Sequence, residues 1–99
     1  MLEYAREAMG LARGKTESNL RDDRLLQLAL TRLLEVLGEA AWRVSTTWRE
    51  AHPEVPWGAI IGMRNRLIHA YDNVDLALVW STVQDDVPRL VQALERIVR

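Results

Sequence analysis

The sequence predicts an all-α protein, a compact antiparallel bundle of four to five helices, on three observations. Apolar residues recur at spacings of three and four along most of the 99 residues, and no stretch alternates in the manner of a strand. The balance of 48% hydrophobic to 27% charged residues is that of a folded helical domain. The length suits one modest core, so residues 1–99 read as a single domain whose core a partner subunit could enlarge.

The opening "MLEYAREAMGLA" sets Leu2, Ala5, Met9 and Ala12 on one face among good helix formers, with Gly14 near the end of that helix. A polar link leads to the strongest helix of the chain, "DDRLLQLALTRLLEVLGEAAWRVS". There Leu26, Ala29, Leu30, Leu33, Leu37, Ala40, Ala41 and Val44 form a continuous stripe, and Asp22 or Asp23 is placed to cap it. Leu25, Leu28, Leu34 and Val36 widen the apolar surface, which predicts contacts on two sides. Gly38, Ala40 and Ala41 remove bulk where another helix can approach closely.

Pro53 and Pro56 in "TTWREAHPEVPW" disfavour a continuous helix and predict a bend, with a new helix starting near Pro56. His52, in this punctuation, reads as a loop or cap residue. The next helix, "WGAIIGMRNRLIHAY", is expected to reach about Ala70, after which Asp72 and Asp75 offer a fresh cap. The final run, from Leu76 through Val79, Val83, Val87, Leu90, Val91 and Leu94 to Val98, is helical in period. Pro88 is expected to kink or divide it, because proline lacks an amide donor and crowds the preceding turn.

Composition also narrows function. Cysteine is absent, which excludes disulfides, thiolate metal sites and a cysteine nucleophile. A formal charge of −1 argues against coating long nucleic acid through a broad basic surface but leaves room for a local phosphate site. No apolar run is long enough for a membrane span and the start shows no signal core, so the expected location is cytoplasmic, without membrane partners. Four tryptophans are a heavy aromatic allotment that can serve a subunit contact as readily as a core.

The chemistry concentrates in "RNRLIHAY", residues 64 to 71. On a regular helix His69 lies over Asn65 and Arg66, whereas Arg64 continues the apolar stripe of Trp57, Ile60 and Ile61, about 140° around the axis from His69. A guanidinium in that stripe needs a carboxylate, hydrogen bonds or a phosphate to offset desolvation. In a structural reading Glu35 or Glu39 pairs with Arg64, Asn65 ties helices together, His69 finishes the helix and Tyr71 packs at the bend. In a catalytic reading His69 moves a proton to or from an RNA hydroxyl and Arg64 stabilises charge on the phosphoryl oxygens. One histidine does not obviously supply both proton transfers, and a dimer that brings two octets together answers that difficulty. Noncatalytic nucleotide or protein binding is the third reading. His52 and His69 are not a close ligand pair, Asp72 is more economically a cap than a ligand, and no phosphate-binding glycine motif is present, so no metal or cofactor is expected.

At these residues the chain resembles the HepT-like, DUF86 family within the wider group of HEPN domains. The family's arginine and histidine with four to six residues between them, followed by x-Tyr, are matched by Arg64, His69 and Tyr71, with the polar Asn65 after the arginine. The blocks "LLEVLGEAAWRVS" at 33–45, "HPEVPWGAIIGMRNRLIHAY" at 52–71 and "VDLALVWSTVQDDVPRL" at 74–90 extend the resemblance over nearly the whole chain. It implies an HEPN-like homodimer whose facing octets form a composite, metal-independent endoribonuclease site. Arg64 and His69 would be catalytic, and Asn65 and Arg66 would bind phosphate or support the site. It further implies the toxin of a toxin–antitoxin pair, with a minimal nucleotidyltransferase as antitoxin that adds AMP to Tyr71. The alternatives it leaves are a noncatalytic module that binds a nucleotide or the nucleotidyltransferase, and a structural helical dimerisation domain.

Overall fold

Helix α3, Arg24–Arg43, organises the molecule, because its sequence buries one long stripe and leaves a gap beside it. A computed structural model describes residues 1–69 and 74–97. Asp23 begins α3 by accepting a hydrogen bond from the Leu26 amide at 3.1 Å, which satisfies one of the amides a helix start leaves unpaired. Leu26, Leu30, Leu34, Leu37 and Ala41 then bury against the rest of the core. Leu34 therefore extends the buried face as the widened pattern predicts, whereas Leu25 and Leu28 stay exposed.

Helix α1, Leu2–Ala12, packs on α3 through the small buried side chains Ala5, Ala8 and Ala12, and its other neighbour is the C-terminal helix. Gly14 follows it with φ of 73°, a left-handed conformation that glycine adopts without a Cβ penalty. The polar link contains a further short helix, α2, Glu17–Asp22, which the sequence pattern does not reveal. Six residues are too few to show periodicity. Its start is fixed by a reciprocal pair, Thr16 Oγ1 accepting from the Asn19 amide and Asn19 Oδ1 accepting from the Thr16 amide. Leu20 is its one buried anchor.

The punctuated stretch likewise coils into α4, Thr46–Ala51, capped by Ser45, and His52 ends it as a cap residue. Helix α5, Trp57–Ile68, runs along α3, burying Trp57, Ile60, Met63 and Leu67. Pro56 occupies the cap position rather than the first helical turn, and the helix stops at Ile68, with His69 as its C-cap. Ala70, to which the pattern extends this helix, lies outside the described residues, as does Asp72. The expected fresh cap is supplied by Asp75, whose carboxylate accepts from the Leu78 amide at 3.0 Å.

The final run is one continuous helical path in three parts: α6, Leu76–Ser81, a π-helical turn over Thr82–Asp86, and α7, Val87–Ile97. Pro88 explains the wide turn. Its ring would crowd the carbonyl four residues earlier and it donates no amide, so the backbone opens to i→i+5 pairing just before it, as in Val87 N–H to Thr82 O. Thr82, buried, turns its hydroxyl back onto the Leu78 carbonyl at 2.7 Å. The proline thus widens the helix instead of breaking it. The four periodic tracts form the expected helical architecture, with α2 and α4 as additional short turns, and no described residue is in a strand. No described helix is long and apolar enough to cross a membrane.

Candidate functional site

The start of α5 is locked before the octet begins. Trp57 Nε1 donates to the His52 carbonyl at 2.9 Å, and the Trp48 ring meets Trp57 edge-on at 5.8 Å and His52 at 4.0 Å. His52 Nδ1 lies 3.2 Å from Glu54 Oε1. These contacts make His52 a structural residue of the bend and fix the helix that carries Arg64, Asn65, Arg66 and, at its end, His69.

Arg64 sits in the apolar stripe as its spacing requires, and among the described residues its contacts are with a glycine, an indole and an amide side chain. Gly38 on α3 leaves room for the Arg64 stem, since a Cβ on Gly38 would overlap Arg64 Cβ and lie 2.7 Å from Arg64 Cγ. Beyond that narrow contact the guanidinium runs outward, its carbon 5.8 Å from the centre of the Trp42 ring and its Nη1 donating to Asn65 Oδ1 at 2.9 Å. Glu35 and Glu39, the partners a structural reading expects, pair with Arg32 at 3.7 Å and Arg43 at 2.8 Å instead. Among the described residues no carboxylate forms a salt bridge with Arg64.

On the other side of α5, Asn65, Arg66, Leu67 and the exposed His69 line a cleft of about 460 Å³ with Asp75 and Leu78 of the next helix. Arg66 Nη2 lies 3.2 Å from Asp75 Oδ2, while Asp75 Oδ1 caps α6, so one carboxylate holds both the cation and the helix start. The cleft is of nucleotide size and offers a guanidinium, an amide side chain and an imidazole. It does not include Arg64.

The arrangement therefore brings Asn65, Arg66 and His69 together and turns Arg64 toward α3, as the 140° separation on an ideal helix requires. Asn65 links the two sides, accepting from Arg64 while lining the cleft that holds His69. Tyr71 lies outside the described residues. Two contributors escape sequence reasoning. Asp75 is legible as a cap but not as the partner of Arg66, nine residues earlier, because the turn between helices sets that contact. Trp42 reads as an apolar residue of a long helix, and only the approach of α5 at Gly38 reveals its cation. Among the described residues no group of three or more histidine, aspartate or glutamate side chains is placed to hold a metal ion.

The profile of the family described as "Ribonuclease HepT-like" matches residues 1–97. "Probable ribonuclease HepT" of Thermococcus cleftensis is 40% identical over 75 residues, covering 76% of this chain and 68% of the relative. "Putative RNase MJ1380" of Methanocaldococcus jannaschii is 33% identical over 95 residues, covering 96% and 87%. "Putative RNase TTE0752" of Caldanaerobacter subterraneus is 38% identical over 77 residues, covering 78% and 69%. No solved structure gives a significant match.

Proposed function

The chain belongs to the ribonuclease HepT-like family, and on that premise we propose that it is a metal-independent endoribonuclease whose active site is shared between two copies. The observation that carries this reading is the division of the octet: Arg64 and His69 stand on different sides of α5, with Asn65 accepting from Arg64 and lining the cleft that holds His69. A single copy holds the phosphate-stabilising group and the proton-transfer group apart. Two copies with facing octets would bring the arginine of one toward the histidine of the other and would present two imidazoles to one phosphodiester. The relatives' names, which speak of ribonucleases, support RNA as the substrate.

In this mechanism one His69 takes the proton from the RNA 2′-hydroxyl as its oxygen attacks the adjacent phosphorus. The bond to the 5′-oxygen breaks, the second His69 protonates that leaving oxygen, and the products carry a 2′,3′-cyclic phosphate and a 5′-hydroxyl. Arg64 stabilises the charge on the nonbridging oxygens through its planar fork of donors, and Asn65 holds the fork in place. Arg66, anchored on Asp75, adds positive potential along the cleft for a neighbouring phosphate. Exposed Leu28 on α3 supplies apolar surface beside Leu67 and Ile68 at the end of α5, suited to a second copy.

The family resemblance also supports a toxin role with a minimal nucleotidyltransferase as antitoxin. In that pairing the Tyr71 phenol oxygen attacks the α-phosphorus of ATP, pyrophosphate leaves, and the adenylylated protein no longer cleaves RNA. The experiment that tests the core reading is cleavage of a mixed cellular RNA pool by the wild-type chain and His69→Ala, with end-group analysis and a chelator control. Cyclic phosphate ends from the wild type alone, undiminished by chelator, are expected. Equal cleavage of substrates lacking the 2′-hydroxyl refutes the mechanism.

A further inference from the structure

Trp42 sits one turn beyond Gly38 on α3, and the residue is 56% exposed although tryptophan is the largest apolar side chain available to a core. Trp57, by contrast, is buried. The Arg64 guanidinium stands 5.8 Å from the centre of the Trp42 ring, and Gly38 holds the two helices close enough for that contact. We infer that Trp42 is a stacking platform for an unpaired RNA base, set beside the arginine that binds the phosphate of the same or the adjoining nucleotide.

This inference rests on the ribonuclease reading for the identity of its ligand, and three features of the site favour a nucleobase. An exposed indole offers a flat π face, which any of the four bases can cover without base-specific hydrogen bonds. Arg64 has five donors and commits Nη1 to Asn65, and among the described residues it forms no salt bridge, so donors remain for an anion. The separation of guanidinium and ring is of the same order as the span from a phosphate to its own base. A base locked in a duplex cannot cover the indole, so the platform selects single-stranded loops, bulges and tails. The competing occupant of Trp42 is a second copy of this chain, which would bury the indole without any dependence on bases.

The test is anisotropy binding of a fluorescein-labelled 2′-O-methyl oligouridylate, which cannot be cleaved by 2′-hydroxyl attack, and of the same backbone made abasic. Wild type, Trp42→Ala and Trp42→Phe are compared as full chains, and sedimentation is measured on each. Trp42→Ala should bind the base-bearing probe roughly tenfold more weakly, and Trp42→Phe should stay within about threefold of wild type because it keeps a ring. All three should bind the abasic backbone alike and sediment alike. Equal binding of the base-bearing probe by wild type and Trp42→Ala overturns the inference, as does the absence of wild-type binding. An equal loss on both probes also overturns it, and an altered sedimentation then assigns Trp42 to the contact between copies. Cleavage of unmodified RNA is scored separately: cleavage without base-dependent binding removes the platform alone, and base-dependent binding without cleavage removes the ribonuclease reading alone.

Discussion

Gly38 and Arg64 occupy adjoining space on α3 and α5 so closely that any side chain at position 38 would overlap the arginine stem. The Ile60 carbonyl, 3.2 Å from the position a Cβ would take, closes the other side of the gap. This one contact fixes both the helix spacing and the direction in which the guanidinium leaves the core. Gly38→Ala should therefore destabilise the fold by roughly 1–3 kcal/mol through overpacking, measured by urea unfolding. It should also lower RNA cleavage under conditions where the protein remains folded, because Arg64 must move.

His69 is exposed at the C-cap of α5 and forms no hydrogen bond to another described side chain. Its replacement by alanine should leave the unfolding free energy within the range of ordinary surface changes, about 0.5 kcal/mol, while cleavage is abolished. Circular dichroism and gel-based RNA cleavage on the same preparation check both parts.

Arg64→Lys keeps the charge and most of the stem but loses the fork that donates to Asn65 while facing a phosphate. Cleavage should fall by at least roughly tenfold, the loss expected from one well-placed donor to a charged transition state being larger still. Thermal unfolding should change little, because no described salt bridge is broken. An Arg64→Lys protein with wild-type turnover would remove the arginine from the transition state.

Asp75 has two tasks that substitution can separate. Asp75→Asn retains an acceptor for the Leu78 amide and loses the charge facing Arg66, whereas Asp75→Ala loses both. The alanine protein should be less stable by about 1 kcal/mol from the lost cap, and the asparagine protein should be close to wild type, since the exposed ion pair contributes little. Denaturant unfolding of the pair distinguishes the roles.

The long periodic helices and the separation of Arg64 from His69 were legible in the sequence, because both follow from 3.6 residues per turn. Close approach at Gly38 was legible for the same reason, as small residues clustered on one helix. The short helices α2 and α4 were not, since six residues carry caps but little periodicity. Pro88 is legible as a disturbance of the last helix, whereas the form it takes, a π turn that keeps the helical path continuous, is not, because a proline can equally kink or divide a helix. Glu35 and Glu39 pair along their own helix with Arg32 and Arg43, at the i,i+3 and i,i+4 spacings the sequence displays, in place of the contact with Arg64 across helices that the structural reading expects.

The shared site is tested most directly by mixing wild-type chains with inactive His69→Ala chains. A site that needs two imidazoles fails in every mixed dimer, because such a dimer holds one His69. Refolded together in equal amounts with random pairing, about a quarter of the dimers are wild type in both chains, against the roughly one half that the same wild-type chains would make without mixing, so cleavage should fall to about half that of the wild-type protein refolded by itself. Cleavage undiminished by the added His69→Ala chains, under conditions where labelled chains demonstrably exchange, would show that the two copies do not share one site.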